Sequence, residues 1–188
     1  LLRTELETLG ASVQVDWEFG PATLTTISAI RAYDEFRDID ADFIDLELAD
    51  RRLLTNQYHT VTQELRLASN AGERLDWLVG VYFLDQDIET TNHQLFGGDL
   101  RPFADLASGN AITSLEQLLG ATRGVPPGTY LAPGQGLREA FDLTTRTYAV
   151  FGQVDWYLTD RFTLTTGLRY TVEEKEIAAR INIDDPFA

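Results

Sequence analysis

The 188-residue chain carries 30 acidic side chains against 15 Lys and Arg, a formal net charge of −15. That balance argues against a general nucleic-acid binder, which needs a basic face. With no cysteine there is no disulfide, thiolate metal centre or cysteine nucleophile. The longest apolar run is Trp77 to Leu84, far short of the ~20 residues of a transmembrane helix. A membrane β-barrel stays open, because its strands are only half apolar.

Residues 1–11 are weakly patterned and are expected to finish a loop. Ser12 to Phe19 then alternates: Val13, Val15, Trp17 and Phe19 face one way, Gln14, Asp16 and Glu18 the other. Period-two alternation is the mark of a strand with one apolar face. Gly20-Pro21 makes a short turn. Thr23 to Tyr33 reads as a second strand of uncertain register, since Leu24/Ile30 and Ile27/Ala29/Tyr33 fall on opposite faces. An acidic connection is expected over 34–56. Its Asp38-x-Asp40-x-Asp42 spacing is that of a calcium-loop start. Phe43 and Ala49 stand where such a loop needs Gly and Glu, so a solvated acidic loop is the better reading.

Strand pattern resumes at Gln57 to Ser69. Val61, Leu65 and Leu67 share a face that Gln63 interrupts, with Glu64 and Arg66 opposite. A turn is expected at Asn70-Ala71-Gly72. Leu75 to Thr90 follows, its apolar face built from Leu75, Trp77, Val79, Val81 and Phe83. Its other face mixes Asp76, Gly80 and Gln86 with Leu78, Tyr82 and Leu84. Residues 91–145 lack strand pattern. They hold one expected helix, Ala111 to Ala121, and a Pro/Gly tract that cannot be regular.

The last hairpin, about 146–175, is the clearest. Tyr148, Val150, Val154, Trp156 and Leu158 share a face, with Ala149 and Phe151 as apolar exceptions opposite. Phe162, Leu164, Thr166, Leu168, Tyr170 and Val172 continue the apolar face after a turn at Thr159-Asp160. Its strands, about twelve residues each, are roughly twice the usual length. Tyr148 and Trp156, like Phe162 and Tyr170, lie eight residues apart, roughly 20 Å of height. Residues 177–188 are expected to be an incomplete connection.

Three hairpins (about 12–33, 57–90 and 146–175) thus alternate short turns with long loops. Antiparallel neighbours put all short turns at one sheet edge and all long loops at the other. The three tryptophans, Trp17, Trp77 and Trp156, lie near short turns on the apolar faces. With Tyr148, Phe162 and Tyr170 they are expected to be membrane-interface aromatics. The expected fold is all-β: an antiparallel transmembrane β-barrel segment of about six long strands, with short periplasmic turns and long extracellular loops.

QYHTVTQELRLAS, a turn and LDWLVGVYFLDQD resemble a mid-barrel hairpin of TonB-dependent outer-membrane receptors. AVFGQVDWYLTDRFTLTTGLRYTVEEKE resembles another, and TLTTISAIRAYDEF the strand before the first. The resemblance implies an outer-membrane active-transport receptor of a Gram-negative bacterium. It implies uptake of a scarce ligand, a small molecule or metal chelate such as a ferric siderophore, energised by the TonB complex. Outer-membrane lipid, TonB and the receptor's own plug domain are the implied partners. The plug and the TonB-contacting N-terminal segment are expected to be missing, making the chain an internal barrel slice. A passive porin-type barrel and a soluble all-β binding or adhesion domain are the alternatives.

No enzyme is expected, and no cofactor. His59 and His93 are too far apart in sequence to suggest a metal pair, and no nucleophile elbow or phosphate loop appears. The functional candidates are polar residues expected to face the lumen: Arg66, Glu64, Gln153, Asp155, Thr165 and Arg169. Tyr130 and Phe96 are loop candidates for ligand capture.

Overall fold

The computed structural model describes residues 3–69 and 74–184. Among these, six strands form one antiparallel sheet in sequential order: β1 (Arg3–Phe19), β2 (Ala22–Ile39), β3 (Arg51–Ser69), β4 (Leu75–Leu95), β5 (Gly136–Thr159) and β6 (Phe162–Ile183). Two helices, α1 (Leu100–Ser108) and α2 (Ala111–Arg123), lie in the β4–β5 connection. Such a meander places the three short connections at one edge. The connections at 40–50 and 96–135 lie at the other. The turn expected at Asn70-Ala71-Gly72 lies outside the described residues.

The strands run 17 to 24 residues, and the two of the last hairpin, β5 and β6, have 24 and 22 where about twelve each are expected. Residues 3–11 belong to β1 rather than to a loop. β2 continues to Ile39 and β3 begins at Arg51, so the connection expected over 34–56 is confined to 40–50. Residues 91–95 and 136–145 are strand as well, and 177–183 extend β6. These extensions lack the continuous apolar outer face that marks a strand in the sequence. On β6 the apolar side stops at Val172. Beyond it that side carries Glu174, Glu176 and Arg180, while Ile177, Ile181 and Ile183 stand on the other.

Among the described residues nothing covers either face of the sheet. No large side chain among the described residues is fully buried, and the buried apolar residues are Ala22, Tyr130 and Ala149. A sandwich would bury one inner face of each sheet. Instead Leu9, Trp17, Leu168 and Tyr170 are each about two-thirds exposed or more, on the same side. The sheet is held by its backbone ladders between neighbouring strands.

Register fixes β2: Leu24 and Ile30 join the apolar face, Ile27, Ala29 and Tyr33 the polar one. It also accounts for Gln63. That residue sits opposite Ser28, its Oε1 accepting from the Ser28 hydroxyl and its Nε2 donating to Thr26 Oγ1 at 2.8 Å. The polar groups on the greasy side satisfy one another, so their desolvation is offset.

The apolar band crosses the strands diagonally. Its upper limit is Val172, Tyr148 and Phe83 on β6, β5 and β4, which share one register row. On β1 and β2 it is Leu9 and Ala32, opposite His59, itself paired with Asp87. The limit therefore climbs four residues, from Phe83 to Asp87, across the sheet. At ~3.3 Å per residue and ~4.8 Å per strand this is a strand tilt on the order of 30°. Closed barrels tilt by about 35–45°.

The long loops are stitched together. Gly97 N–H donates to Leu48 O (3.0 Å), Asp99 N–H to Glu47 O (2.9 Å), and Glu47 N–H to an Asp99 carboxylate oxygen (3.0 Å). A Cβ on Gly97 would stand 2.0 Å from the Glu47 carbonyl oxygen, so only glycine permits this approach. Gly97→Ala should separate the two loops at a local cost on the order of 1–3 kcal/mol. The readout is faster proteolysis within 40–50 and 96–135 with the strands unaffected; an unchanged cleavage rate would refute the seam.

Candidate functional site

The six polar candidates share one face, opposite the apolar band, and form two groups. In the first, Arg66, Gly80, Phe151 and Arg169 occupy a single row across β3 to β6. Arg66 ion-pairs with Glu64. The Arg169 guanidinium lies 5.5 Å from the Tyr82 ring centroid and 5.7 Å from that of Phe151, while its Nε donates to Thr171 Oγ1 at 3.1 Å. Cation–π contact of this kind fixes the guanidinium without neutralising it. Phe151 lies over Gly80, where a Cβ would meet its ring at 2.4 Å. The apolar exceptions Phe151 and Tyr82 are thus the seat of Arg169. Sequence alternation could not show this, because the contact depends on cross-strand register.

The second group is acidic. Asp155 pairs with Asp76 across β4 and β5 and accepts from Thr165 Oγ1 (2.6 Å) and the Gln153 amide (3.2 Å). Asp76 accepts from the Tyr157 hydroxyl (2.7 Å) and from Ser69 (3.1 Å). Asp16, bonded by Thr25 (2.6 Å), extends this chemistry to β1. The candidates therefore do not converge on one point. An aromatic-seated cation lies toward the middle of the wall, and carboxylates lie below it near the short turns.

The long loops carry the most enclosed polar cluster. α1 begins with Pro102 in its first turn and ends at Gly109, which takes φ 66°. Asn110, also left-handed, leads into α2, and Gly124 (φ 71°) ends it. α2 matches the expected helix; α1 was missed, although the Pro-to-Gly bracket marks it. Between the helices Arg101 donates to both Glu116 oxygens (2.7 and 2.8 Å) and to Asp105 (2.9 Å). Glu116, 3% exposed, also accepts the Gly128 and Tyr130 N–H groups at 2.9 and 2.8 Å. The Arg101 guanidinium is the main cause holding the Glu116 and Asp105 carboxyls at about 2. Tyr130, a candidate for ligand capture, is 5% exposed and serves instead as the inside of this loop unit. Phe96 is half-buried, its backbone paired with Gln135 and Gly134.

Asp42 organises the 40–50 loop by accepting N–H groups from Ile44, Leu48 and Ala49, which hold its carboxyl below the usual range. Among the described residues no cluster of three or more His, Asp or Glu has metal-binding geometry. His59 stands opposite Asp87 and His93 opposite Leu53, six positions apart along the ladder, so the sheet keeps the histidines roughly 20 Å apart.

The family profile described as TonB dependent receptor-like, beta-barrel, matches residues 2–181. The chain belongs to the TonB-dependent receptor family. What it contains is barrel wall of such a receptor, and members of the family are receptors and transporters rather than enzymes. Among solved structures it is similar to the ferric yersiniabactin uptake receptor FyuA from Yersinia pestis, with a TM-score of 0.61 at 16% identity. That match covers 96% of this chain and 22% of the FyuA chain, and at such identity it speaks for the fold. No curated protein matches the sequence.

Proposed function

We propose that this wall belongs to an outer-membrane active-transport receptor of a Gram-negative bacterium. It imports a scarce ligand such as a ferric siderophore and is energised by TonB. The apolar face meets lipid, and the polar face lines the interior, toward a plug domain supplied by the complete receptor. Trp17, Trp77, Trp156 and Phe162 sit at the interface nearer the short turns, Tyr148 and Tyr170 at the other. The observation that carries this reading is the uncovered, one-sidedly apolar meander, tilted across its band, with its long loops at one edge. Membership of the family supports the receptor reading, and the siderophore is proposed by analogy with the ferric yersiniabactin uptake receptor FyuA.

The test is uptake of iron-55 chelates by iron-starved cells carrying or lacking the complete receptor. Receptor-dependent accumulation of at least one chelate, abolished by removing TonB or collapsing the proton gradient, is expected. Accumulation indifferent to both would make the barrel a passive pore.

A further inference from the structure

On the polar face, six positions beyond the Arg66–Arg169 row toward the long loops, two register rows differ sharply in chemistry. The lower row reads Gly10, Arg31, Thr60, Gln86, Thr145 and Lys175 from β1 to β6. It holds two cations and no acid. The next row, toward the long loops, holds Tyr33, Tyr58, Ile88, Leu143 and Ile177. It is a continuous apolar shelf over five strands. Tyr33 and Tyr58 meet edge to face, ring centroids 5.1 Å apart, a geometry that fixes both rings.

Arg31 is the unusual member. Lys175 is paired with Glu173 at 2.7 Å, Arg37 with Glu35 and Arg66 with Glu64. Arg52 donates to Asn92, and Arg169 sits over its two rings. Among the described residues the Arg31 side chain has no hydrogen bond, ion pair or ring contact. Its same-face neighbours within one row are Thr8, Gly10, Ser12, Ala29, Tyr33, Tyr58, Thr60 and Thr62, none of them acidic. In a chain of net charge −15, an arginine with no carboxylate among its same-face neighbours is free to meet an anion from outside. It lines a concavity of about 710 Å³ together with Ser12, Tyr33, Tyr58, Thr62 and Gln86, within the size range of small-molecule sites.

We propose that this concavity receives a small-molecule anion carried on a flat, apolar frame, an aromatic carboxylate or phenolate chelate. The frame lies on the Tyr33–Tyr58 shelf, and the charge meets the Arg31 guanidinium in two-point contact. Ser12, Thr62 and Gln86 offer further hydrogen bonds. Arg31 then selects anionic over neutral cargo. The proposal rests on the receptor reading above, and it assigns the charge preference to one wall sector.

The experiment uses the complete receptor in detergent and two aromatic iron complexes. One is the ferric complex of 2,3-dihydroxybenzoate, an anion; the other is ferric tris-benzohydroxamate, which is neutral. Binding is read by quenching of tryptophan fluorescence. Wild type should bind the anion at least about tenfold more tightly. Arg31→Gln should remove that preference and leave the neutral complex unchanged, and Arg31→Lys should restore part of it. Tyr58→Ser should weaken both complexes. Unshifted heat-modifiable mobility on gels shows that each variant is folded. A wild type without preference for the anion, or an Arg31→Gln receptor that keeps it, overturns the assignment. TonB-dependent uptake of other chelates would survive either result, so the two readings fail separately.

Discussion

Val13→Arg should destabilise the complete receptor in a bilayer by about 2–4 kcal/mol, whereas Gln14→Arg, one residue along, should cost less than about 1 kcal/mol. The two positions lie at the same depth on β1, near the middle of the run from Leu9 to Trp17. Val13 is 64% exposed on the apolar face, so a guanidinium there enters hydrocarbon without a partner. Gln14 points to the other side and bonds Asp16 at 2.9 Å, where a cation gains a carboxylate. Denaturant titration of the receptor refolded into lipid vesicles measures the difference. Equal costs at the two positions would mean that both faces meet the same medium.

Glu116→Ala should unfasten the helical loop, at a local cost on the order of 3–5 kcal/mol. The change leaves Arg101, 16% exposed, with Asp105 as its remaining carboxylate, and strips the acceptor from the Gly128 and Tyr130 amides. Those two amides report the event: their hydrogen-exchange protection should collapse while that of β4 and β5 stays. Acid should imitate the substitution. Glu116 and Asp105 are held at about 2, below their ordinary values of 4.5 and 3.8. A carboxyl with a depressed folded-state value stabilises fully above its unfolded value and loses that contribution as pH falls through the folded one. Protection of the loop should therefore be constant above about pH 5, decline below about 4.5 and vanish near 2. Protection that fails already at pH 5 would contradict the network.

Much of this architecture was legible where lipid imposes a two-residue period. The hairpin from Tyr148 to Val172 could be read residue by residue, and its apolar positions share one face apart from Ala149 and Phe151. Above the band both faces are wet, and the pattern fades or inverts. Ile177, Ile181 and Ile183 stand on the side that is polar lower down, so their strand looked like the start of a loop. Single-strand alternation also cannot report cross-strand geometry. Gln63 looked like an error in an apolar face until Ser28 and Thr26 were placed beside it. Phe151 looked like an exception until Gly80 and Arg169 bracketed it. The site candidates were legible as a face but not as separate cationic and acidic groups. The distinction of Arg31, the absence of acids beside it on two neighbouring strands, is invisible to single-strand alternation.

This wall contains no cysteine, so a label placed in it meets no native thiol of the same segment. Single cysteines at consecutive positions from 162 to 172, each labelled in the complete receptor reconstituted into vesicles, would report collision with oxygen, which concentrates in lipid, and with a water-soluble nickel chelate. Oxygen accessibility is expected to peak at 162, 164, 166, 168, 170 and 172 and nickel accessibility at the odd positions between them. A profile without that two-residue period, or with the two quenchers exchanged, would contradict a lipid-facing apolar band and the barrel reading built on it.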